Sequence, residues 1–231
     1  MDQTHTHIAE TFAPAVPLPR SLSVDLDPIN SAGRQKLESC IADRFDQQYH
    51  AEISHFLPYL LSLSESEQLD AVVGIQLAGK SDLFLERYLD ASVEQAISQV
   101  VKTPVDRGQV VEIGNLAAAV PGTASLLFGV LATVLHRAGV RWVVCTATPQ
   151  VRAMLKNLDF PTHTICDADA SAMGEEAGEW GDYYSSRPQV IVGDTRLAAE
   201  AVASSRVVHV LSRKLAKPIN DAAAALKKAR Q

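Results

Sequence analysis

The spacing of apolar residues predicts a helix followed by strands in the first half of the chain. Ile41, Phe45, Tyr49, Ile53 and Leu57 recur every four positions, which is typical of one helical stripe ending before Pro58. Residues 71–78 (AVVGIQLA) are rich in β-branched side chains and precede a Gly-Lys-Ser turn. They predict a strand and a hairpin into residues 83–89, and residues 92–101 then predict a helix.

A strand–helix–strand unit follows. Residues 109–117 (QVVEIGNLA) and 141–148 (RWVVCTAT) predict strands, and residues 123–138 predict a helix closed by Gly139. A connection of that length is typical of a right-handed crossover between parallel strands. Thr148 and Pro149 suit the start of another helix, and strands near 163–168 and 189–192 complete the sheet. The predicted fold class is α/β (α+β), a mixed sheet, antiparallel first and then parallel, flanked by helices.

The chain divides into three segments. Residues 1–33 lack periodicity and predict an extended or poorly ordered arm. Residues 34–205 hold the elements above, and their number fits one domain core. Residues 206–231 carry seven basic residues against one acid and end in an alanine-rich stretch that favours a helix. This basic segment is either a solvated helix or a docking surface.

Composition limits the partners and the compartment. A formal net charge of −6 argues against a nucleic-acid binder, because phosphate contacts need clustered Lys and Arg. The longest apolar stretch, residues 126–135, is about half of the roughly 20 residues needed to cross a bilayer, and no signal peptide is recognisable. Three widely spaced cysteines predict reduced thiols. We therefore expect a cytoplasmic protein without a transmembrane segment, although the basic segment leaves peripheral membrane contact open.

Motifs for several common chemistries are missing from the sequence. His50 and His55 are five positions apart, which misses the i, i+4 face of a helical metal pair. No GxSxG elbow, Walker loop or paired CxxC occurs. The sequence therefore predicts no metal site and no tightly bound cofactor, and it gives no support to a hydrolase, nucleotide-phosphate or zinc protein.

Glu112 is the strongest candidate for a catalytic group. It interrupts the apolar run of Val110, Val111 and Ile113, and a buried carboxylate is costly unless it faces a polar cleft or pairs with a cation. Burial raises a carboxyl pKa toward the range of a useful base. Acyl transfer to an amine needs such a base, together with hydrogen-bond donors for an oxyanion. The alternative is a structural ion pair with Arg107 or Arg141.

Several segments share their content and order with a known family. They are EIGNLA (112–117), Gly122 with the helix after it, WVVCTAT (142–148), VRAMLKNL (151–158), DADA (167–170) and WGDYY (180–184). Together they resemble the thermostable hemolysin family over residues 45–194. That family is similar to the N-acetyltransferase superfamily, and more narrowly to acyl-homoserine lactone synthases and N-acyl amino acid synthases, which use fatty acyl carrier protein.

The resemblance implies roles for two residues of the predicted strand at 109–117. Glu112 matches the strand glutamate of the homoserine lactone synthases, whereas Asn115 stands where those enzymes carry an arginine. This departure argues against a homoserine lactone product. Side chains alternate along a strand, so Glu112 and Asn115 share one cleft only if the strand bulges, and Gly114 is the expected place. The alternative for Asn115 is a turn-capping amide.

Two further groups of residues are candidates for binding. A helix is expected to begin at Gly122, Thr123 and Ala124, and the free amides at its start attract phosphate, so these residues are expected to hold the donor. Arg152, near the start of the next helix, is either a second contact for an anion or an exposed solubilising residue. The aromatic residues of the last motif either line an acyl or substrate site or pack in the core: Trp180, Tyr183 and Tyr184.

The sequence therefore predicts an N-acyltransferase that moves a fatty acyl group from acyl carrier protein, or from coenzyme A, to an amine of an amino acid or small metabolite. One alternative is an N-acetyltransferase that uses acetyl-coenzyme A. Another is a membrane-active hemolysin or lipid-binding protein, for which the basic segment supplies the one candidate surface.

Overall fold

The computed structural model describes residues 22–120, 122–205 and 213–231, which form a mixed sheet with helices on both faces. The strands are β1 (Leu22–Pro28), β2 (Tyr59–Glu65), β3 (Gln68–Leu77), β4 (Val110–Ala118), β5 (Trp142–Ala147), β6 (Thr162–Asp167) and β7 (Gln189–Asp194). The helices are α1 (Arg34–Tyr49), α2 (Val93–Val101), α3 (Thr123–Arg137), α4 (Pro149–Asn157), α5 (Thr195–Ser204) and α6 (Ala216–Arg230). Short 3-10 segments cover Phe84–Tyr88, Arg107–Gln109, Ala170–Trp180 and Tyr183–Ser186.

The sheet has seven strands in the order β1-β2-β3-β4-β5-β7-β6. Strands β4 and β5 are parallel, with α3 as the crossover, and the other neighbours are antiparallel. The predicted mixed α/β fold class is confirmed, but the strands after β5 are antiparallel instead of parallel. Strand β7 lies between β5 and β6 because its Val190, Ile191 and Val192 are buried, whereas the largely exposed β6 suits an edge.

Two parts of the predicted N-terminal half are wrong. Residues 22–28, assigned to the arm, form β1, which pairs along its whole length with β2; residues 1–21 lie outside the described residues. Helix α1 ends at Tyr49 because His50 adopts a left-handed conformation and donates its amide to the Asp46 carbonyl. Ile53 and Leu57 are buried, but they lie in the loop that follows α1 and not on the helix.

The predicted hairpin is also in another place. Strand β3 pairs with β2, a strand that the sequence analysis missed, through a two-residue turn in which Ser66 and Glu67 both have positive φ. That backbone geometry is typical of tight hairpins. Residues 83–89 were expected as the second strand of the hairpin; instead, Phe84–Tyr88 is a 3-10 segment lying against the sheet.

Alternating strand residues divide the core between the two faces. Leu61, Leu63, Ile75 and similar residues pack with α3, α5 and α6 in the largest apolar cluster. Their neighbours Leu60 and Val72 pack with α1 in a second cluster, and Val144 packs in a third cluster that contains residues of α2. This is the two-sided burial expected from strand alternation.

The helix predicted near the C-terminus is part of the core. Ile219, Ala222 and Leu226 of α6 are buried in the cluster that includes α3. Arg230 donates hydrogen bonds to the carbonyls of Gly108 and Ala138. Residues 206–212, which begin the basic segment, lie outside the described part of the chain.

Candidate active site

A cavity opens where the two parallel strands separate. Strands β4 and β5 pair at three positions only, from Val110 opposite Trp142 to Glu112 opposite Val144, although both strands continue beyond this point. The cavity between them has a volume of about 570 Å³. Its aromatic lining consists of Phe45, Tyr49, Phe84, Tyr88, Trp180 and Tyr183. Its polar lining includes His55, Glu112, Asn115, Thr146, Thr148 and Gln150.

A β-bulge in β4 accompanies the separation. Val72 of β3 lies opposite Ala117, whereas Gly74 lies opposite Gly114, so β4 has one residue more than β3 between these pairs. Such an extra residue bends the strand and strengthens its twist. The sequence analysis placed the bulge at Gly114. The residue with left-handed backbone is Asn115, with a φ of 50°, one position later.

Asn115 lines the cavity and holds the loop that forms one of its walls. Its Oδ1 accepts a hydrogen bond from the Leu57 amide at 2.9 Å, and its Nδ2 donates one to the His55 carbonyl at 3.1 Å. Buried Arg34 donates to the carbonyls of Leu57 and Pro58 from the other side. The carboxamide of Asn115 therefore has partners at both ends and brackets residues 55–57.

Glu112 is the buried acid of the cavity, with 4% of its surface exposed. Its Oε1 accepts a hydrogen bond from the Leu85 amide at 3.2 Å, while Oε2 has no partner among the described residues. Burial raises the pKa of Glu112 to about 8, although the amides of Phe84 and Leu85 act in the opposite direction. A carboxyl with such a pKa exchanges a proton near neutral pH.

Neither arginine considered as a structural partner of Glu112 forms that ion pair. Arg107 contacts Glu86 at 2.6 Å and Glu94 at 2.9 Å. Arg141 contacts Asp194 at 2.8 Å. Because both guanidinium groups are bound to other carboxylates, neither of them neutralises the Glu112 carboxyl, which lines the cavity.

The three aromatic residues of the last sequence motif lie together. Trp180 and Tyr183 line the cavity, with ring centroids 5.4 Å apart. Tyr184 packs behind them, and its hydroxyl lies 2.6 Å from the hydroxyl of Tyr88, which does line the cavity. The ring centroid of Phe84 lies 5.5 Å from that of Trp180, so Phe84 belongs to the same cluster of aromatic rings.

Main-chain contacts join this aromatic wall to the end of α1. The Glu52 amide donates to the Glu179 carbonyl at 2.8 Å, and the Asp182 amide donates to the Tyr49 carbonyl at 2.7 Å. Between these contacts, Gly181 has a φ of 48°. A Cβ atom there would lie 2.1 Å from the Tyr49 carbonyl oxygen, so this close approach requires glycine.

The predicted donor-binding residues are divided between two places. Gly122 is the N-cap of α3, and Ala124 lines the cavity. The Thr123 hydroxyl lies within hydrogen-bond distance of the carbonyls of Asp70 and Val120, to which it donates. Pro121, in the same turn, lies outside the described residues. Arg152 is not among the lining residues and donates to the side chain of Gln189 on β7. Of the four predicted donor-binding residues, the structure brings Ala124 to the lining of the Glu112 cavity, whereas Gly122, Thr123 and Arg152 are not among the lining residues.

Tyr88 and Thr146 are among the polar cavity residues that were not expected from the sequence. Tyr88 stood in a stretch expected to be a strand, and Thr146 in a strand expected to remain paired. The alternation in β5 places Thr146 on the same face as Val144, but only the separation from β4 exposes it to a cavity.

The described ranges contain no group of three or more His, Cys, Asp or Glu residues arranged to hold a metal ion. None of the helices in these ranges combines the length and apolar composition that a bilayer crossing requires.

Comparisons with known proteins identify the fold. The family model described as "Thermostable hemolysin" matches residues 28–199. No curated protein matches the chain. Solved structures that match it include the acyl-homoserine lactone (AHL) synthase LasI, at 11% identity and a TM-score of 0.53 over 76% of this chain and 90% of that chain. The coenzyme A-dependent acyl-homoserine lactone synthase BjaI matches at 12% identity with a TM-score of 0.57, over 89% of this chain and 99% of that chain.

A third solved structure in the same group is FeeM, an N-acyl amino acid synthase from uncultured soil microbes. It matches at 14% identity with a TM-score of 0.53, over 82% of this chain and 99% of that chain. At these identities the likeness concerns the fold alone, and it confirms the expected structural similarity to acyl-homoserine lactone synthases and N-acyl amino acid synthases.

Proposed function

We propose, from the premise that this chain belongs to the thermostable hemolysin family, that it is an N-acyltransferase. It moves a fatty acyl group from a thioester donor to the amine of an amino acid or related small metabolite. The observation that carries the proposal is Glu112, a buried carboxyl that lines the cavity and has one oxygen without a partner in the described residues. Glu112 is the general base that takes a proton from the acceptor amine.

The environment of Glu112 suits this role. A base works best when its pKa lies near the working pH, and the pKa of Glu112 is about 8 because of burial. The aromatic rings around it favour an ammonium group, which is attracted to ring faces. An amine that enters as a cation is therefore stabilised by this wall until it loses one proton to solvent, and Glu112 takes the second proton during the attack.

The donor belongs in the gap between β4 and β5. In this proposal Gly122, Thr123 and Ala124 at the start of α3 hold its phosphate, since amides at a helix start and the positive end of the dipole favour anions. Only Gly122 and Ala124 of the usual glycine-rich acetyltransferase pattern are present. We therefore prefer acyl carrier protein to coenzyme A as the carrier of the acyl group; either is a co-substrate and neither is permanently bound.

The acceptor is proposed to be an amino acid or similar amine. LasI and BjaI are described as homoserine lactone synthases and FeeM as an N-acyl amino acid synthase. Asn115 replaces the arginine that the resemblance leads one to expect, and its amide is already bound to the loop at His55 and Leu57. This difference favours an N-acyl amino acid as the product over a homoserine lactone. Trp180 and Tyr183, supported by Tyr184, form the acceptor wall.

The test is a direct assay of acyl transfer. Purified protein is incubated with acyl carrier protein or coenzyme A thioesters of several chain lengths and with a panel of amino acids and amines. Release of free thiol and formation of an N-acyl product by the wild type, and their loss in Glu112→Gln, are expected. A wild type that forms no product with any donor, while remaining folded, contradicts the proposal.

The described structure offers little support for direct membrane lysis. The apolar positions of α6 are buried against the core, which leaves an outer face with Lys217, Lys227 and Lys228. Such a face permits at most peripheral contact with anionic lipid. Liposome leakage that persists in Glu112→Gln but disappears when these lysines are replaced by glutamate would favour the lytic function instead.

A further inference from the structure

Four buried side-chain polar atoms of the described residues have no hydrogen-bond partner. They are Glu112 Oε2, Thr146 Oγ1, Arg141 Nε and Arg152 Nε. Each of the two arginines binds a partner through another nitrogen of the same guanidinium group. Glu112 and Thr146 line the same cavity. Because native proteins satisfy nearly all buried polar groups, two such atoms lining one cavity are groups that a polar ligand can bind.

The two residues lie on the two strands that separate. Glu112 is the last residue of β4 that pairs with β5, and its partner is Val144. Thr146 follows two positions later on β5, so its side chain is on the same face of the sheet as Val144 and Glu112. A molecule in the gap therefore has the carboxyl on one side and the hydroxyl on the other.

Thr146 is held in place by the strand around it. It pairs with Val190 of β7, and the neighbouring residues Cys145 and Ala147 are buried. The Tyr183 hydroxyl donates to the Thr146 carbonyl at 3.1 Å, which ties this part of β5 to the aromatic wall. A donor fixed in this way needs no rearrangement when charge develops beside it, which is the condition for strong electrostatic catalysis.

We infer that Thr146 is a second catalytic residue, whose hydroxyl donates a hydrogen bond to the thioester carbonyl oxygen as that oxygen becomes an oxyanion. The inference rests on the proposed acyl transfer and adds to it a named group for the developing negative charge. A hydroxyl suits this position because it both donates a hydrogen bond and remains neutral.

The reaction then balances with these two groups. The nitrogen of the neutral amine attacks the carbonyl carbon, a C–N bond forms, and the π electron pair moves to the oxygen that Thr146 contacts. The Glu112 carboxylate takes one proton from the nitrogen. The carbonyl re-forms as the C–S bond breaks, the electron pair leaves with sulfur, and the thiolate takes the proton from Glu112. The products are the amide and the free thiol, and Thr146 keeps its proton throughout.

The experiment compares Thr146→Val with Thr146→Ser. Valine keeps the shape and removes the hydroxyl, whereas serine keeps the hydroxyl. Thr146→Val is expected to lower kcat about 100-fold with little change in KM, as for other lost oxyanion donors, while Thr146→Ser stays within about tenfold of the wild type. The apparent pKa of the rate is expected to stay the same in Thr146→Val, because the hydroxyl does not titrate.

Stability separates this role from a structural one. Removal of an unpaired buried hydroxyl is expected to leave the Tm of Thr146→Val equal to or above that of the wild type. The inference is overturned if Thr146→Val retains kcat within twofold, if both variants are equally slow, or if the apparent pKa moves, since Thr146 would then act on Glu112. Wild-type turnover in the same assay distinguishes these outcomes from failure of the proposed function, in which no variant and no wild type reacts.

Discussion

Glu86, which lies in the 3-10 segment Phe84–Tyr88, and Glu112, which accepts a hydrogen bond from that segment, have opposite surroundings. Both oxygens of Glu86 are used: Arg107 contacts each of them, and the amides of Leu83 and Val93 donate to one each. These contacts, above all the bond to Arg107, lower the pKa of Glu86 to about 2. Glu112 accepts a hydrogen bond at 3.2 Å from the Leu85 amide, its other oxygen has no partner in the described part of the chain, and burial raises its pKa to about 8.

The difference shows how to separate a structural carboxylate from a functional one. A fully satisfied acid stabilises the fold and has no capacity left for a substrate. An acid that is buried, uncompensated and open to a cavity costs stability, and its presence there points to chemistry. Substitution of Glu112 should therefore lower mainly the rate of the reaction, whereas substitution of Glu86 should lower mainly the stability of the fold.

The largest effect is expected on the rate. Glu112→Gln should lower kcat about 1,000-fold, because the amide cannot accept the amine proton. Glu86→Gln should leave kcat within about tenfold in the same assay. Equal losses of kcat in the two variants would remove the distinction between the two acids.

The next prediction concerns how stability changes with pH. The pKa of Glu112 is higher in the folded than in the unfolded state, so between about 4.5 and 8 the folded state binds more protons and stability falls as pH rises, by at most about 1.4 kcal/mol per pH unit. Urea unfolding at a series of pH values should show this fall in the wild type and its absence in Glu112→Gln.

Glu86 supplies the opposite control for that series. Its pKa is lowered in the folded state, so its contribution is present above the usual glutamate range and is lost as pH falls toward 2. Glu86→Gln should therefore lose the acid-side dependence and keep the decline above pH 5. The same pH dependence in both variants would contradict the assignment of the two pKa shifts.

A third prediction tests the cation that Glu86 uses. Arg107→Met leaves Glu86 and Glu94 without their partner, and since the Arg107 side chain is 26% exposed the expected loss is about 2 kcal/mol of unfolding free energy. Arg196→Met, which breaks an exposed i, i+4 pair with Glu200, is the matched control and should cost less than about 0.5 kcal/mol. Chemical denaturation measures both, and similar losses would contradict the ranking.

The smallest expected effect is at Asn115, which resembles Glu86 in having its polar groups occupied. Asn115→Ala removes the bonds to Leu57 and His55 and places alanine at positive φ, so a loss of about 1.5 kcal/mol is expected. Asn115→Gly removes the same bonds but accepts the backbone geometry and should lose less. A large fall in kcat without loss of stability would instead make the carboxamide a direct contact of the substrate.

The sequence was sufficient for the central unit of the fold. The structure contains the predicted β4, α3, β5 and Thr148 cap of α4. These elements could be predicted because their signals are local: β-branched runs, a helix closed by Gly139, and a threonine followed by proline. Strand β1 was missed although Leu22, Val24 and Leu26 alternate with polar residues, because the prolines before it suggested an arm. The fourfold spacing that predicted α1 could not reveal the left-handed stop at His50.

The site was only half predictable for a similar reason. Glu112 was visible because a carboxyl in an apolar strand is anomalous by itself. The importance of Thr146 and Tyr88 depends on where β4 and β5 separate, and the position of β7 next to β5 depends on pairing between distant segments. Neither property has a signal within a short stretch of sequence.

The wall that carries Trp180 and Tyr183 is joined through main-chain atoms to the end of α1 and to the loop after it, by the two hydrogen bonds beside Gly181. Exchanging one aromatic side chain for another leaves those bonds intact. Substitutions at Trp180 and Tyr183 can therefore alter the lining of the cavity, and with it the range of molecules that fit, without disturbing the backbone contacts that position this wall.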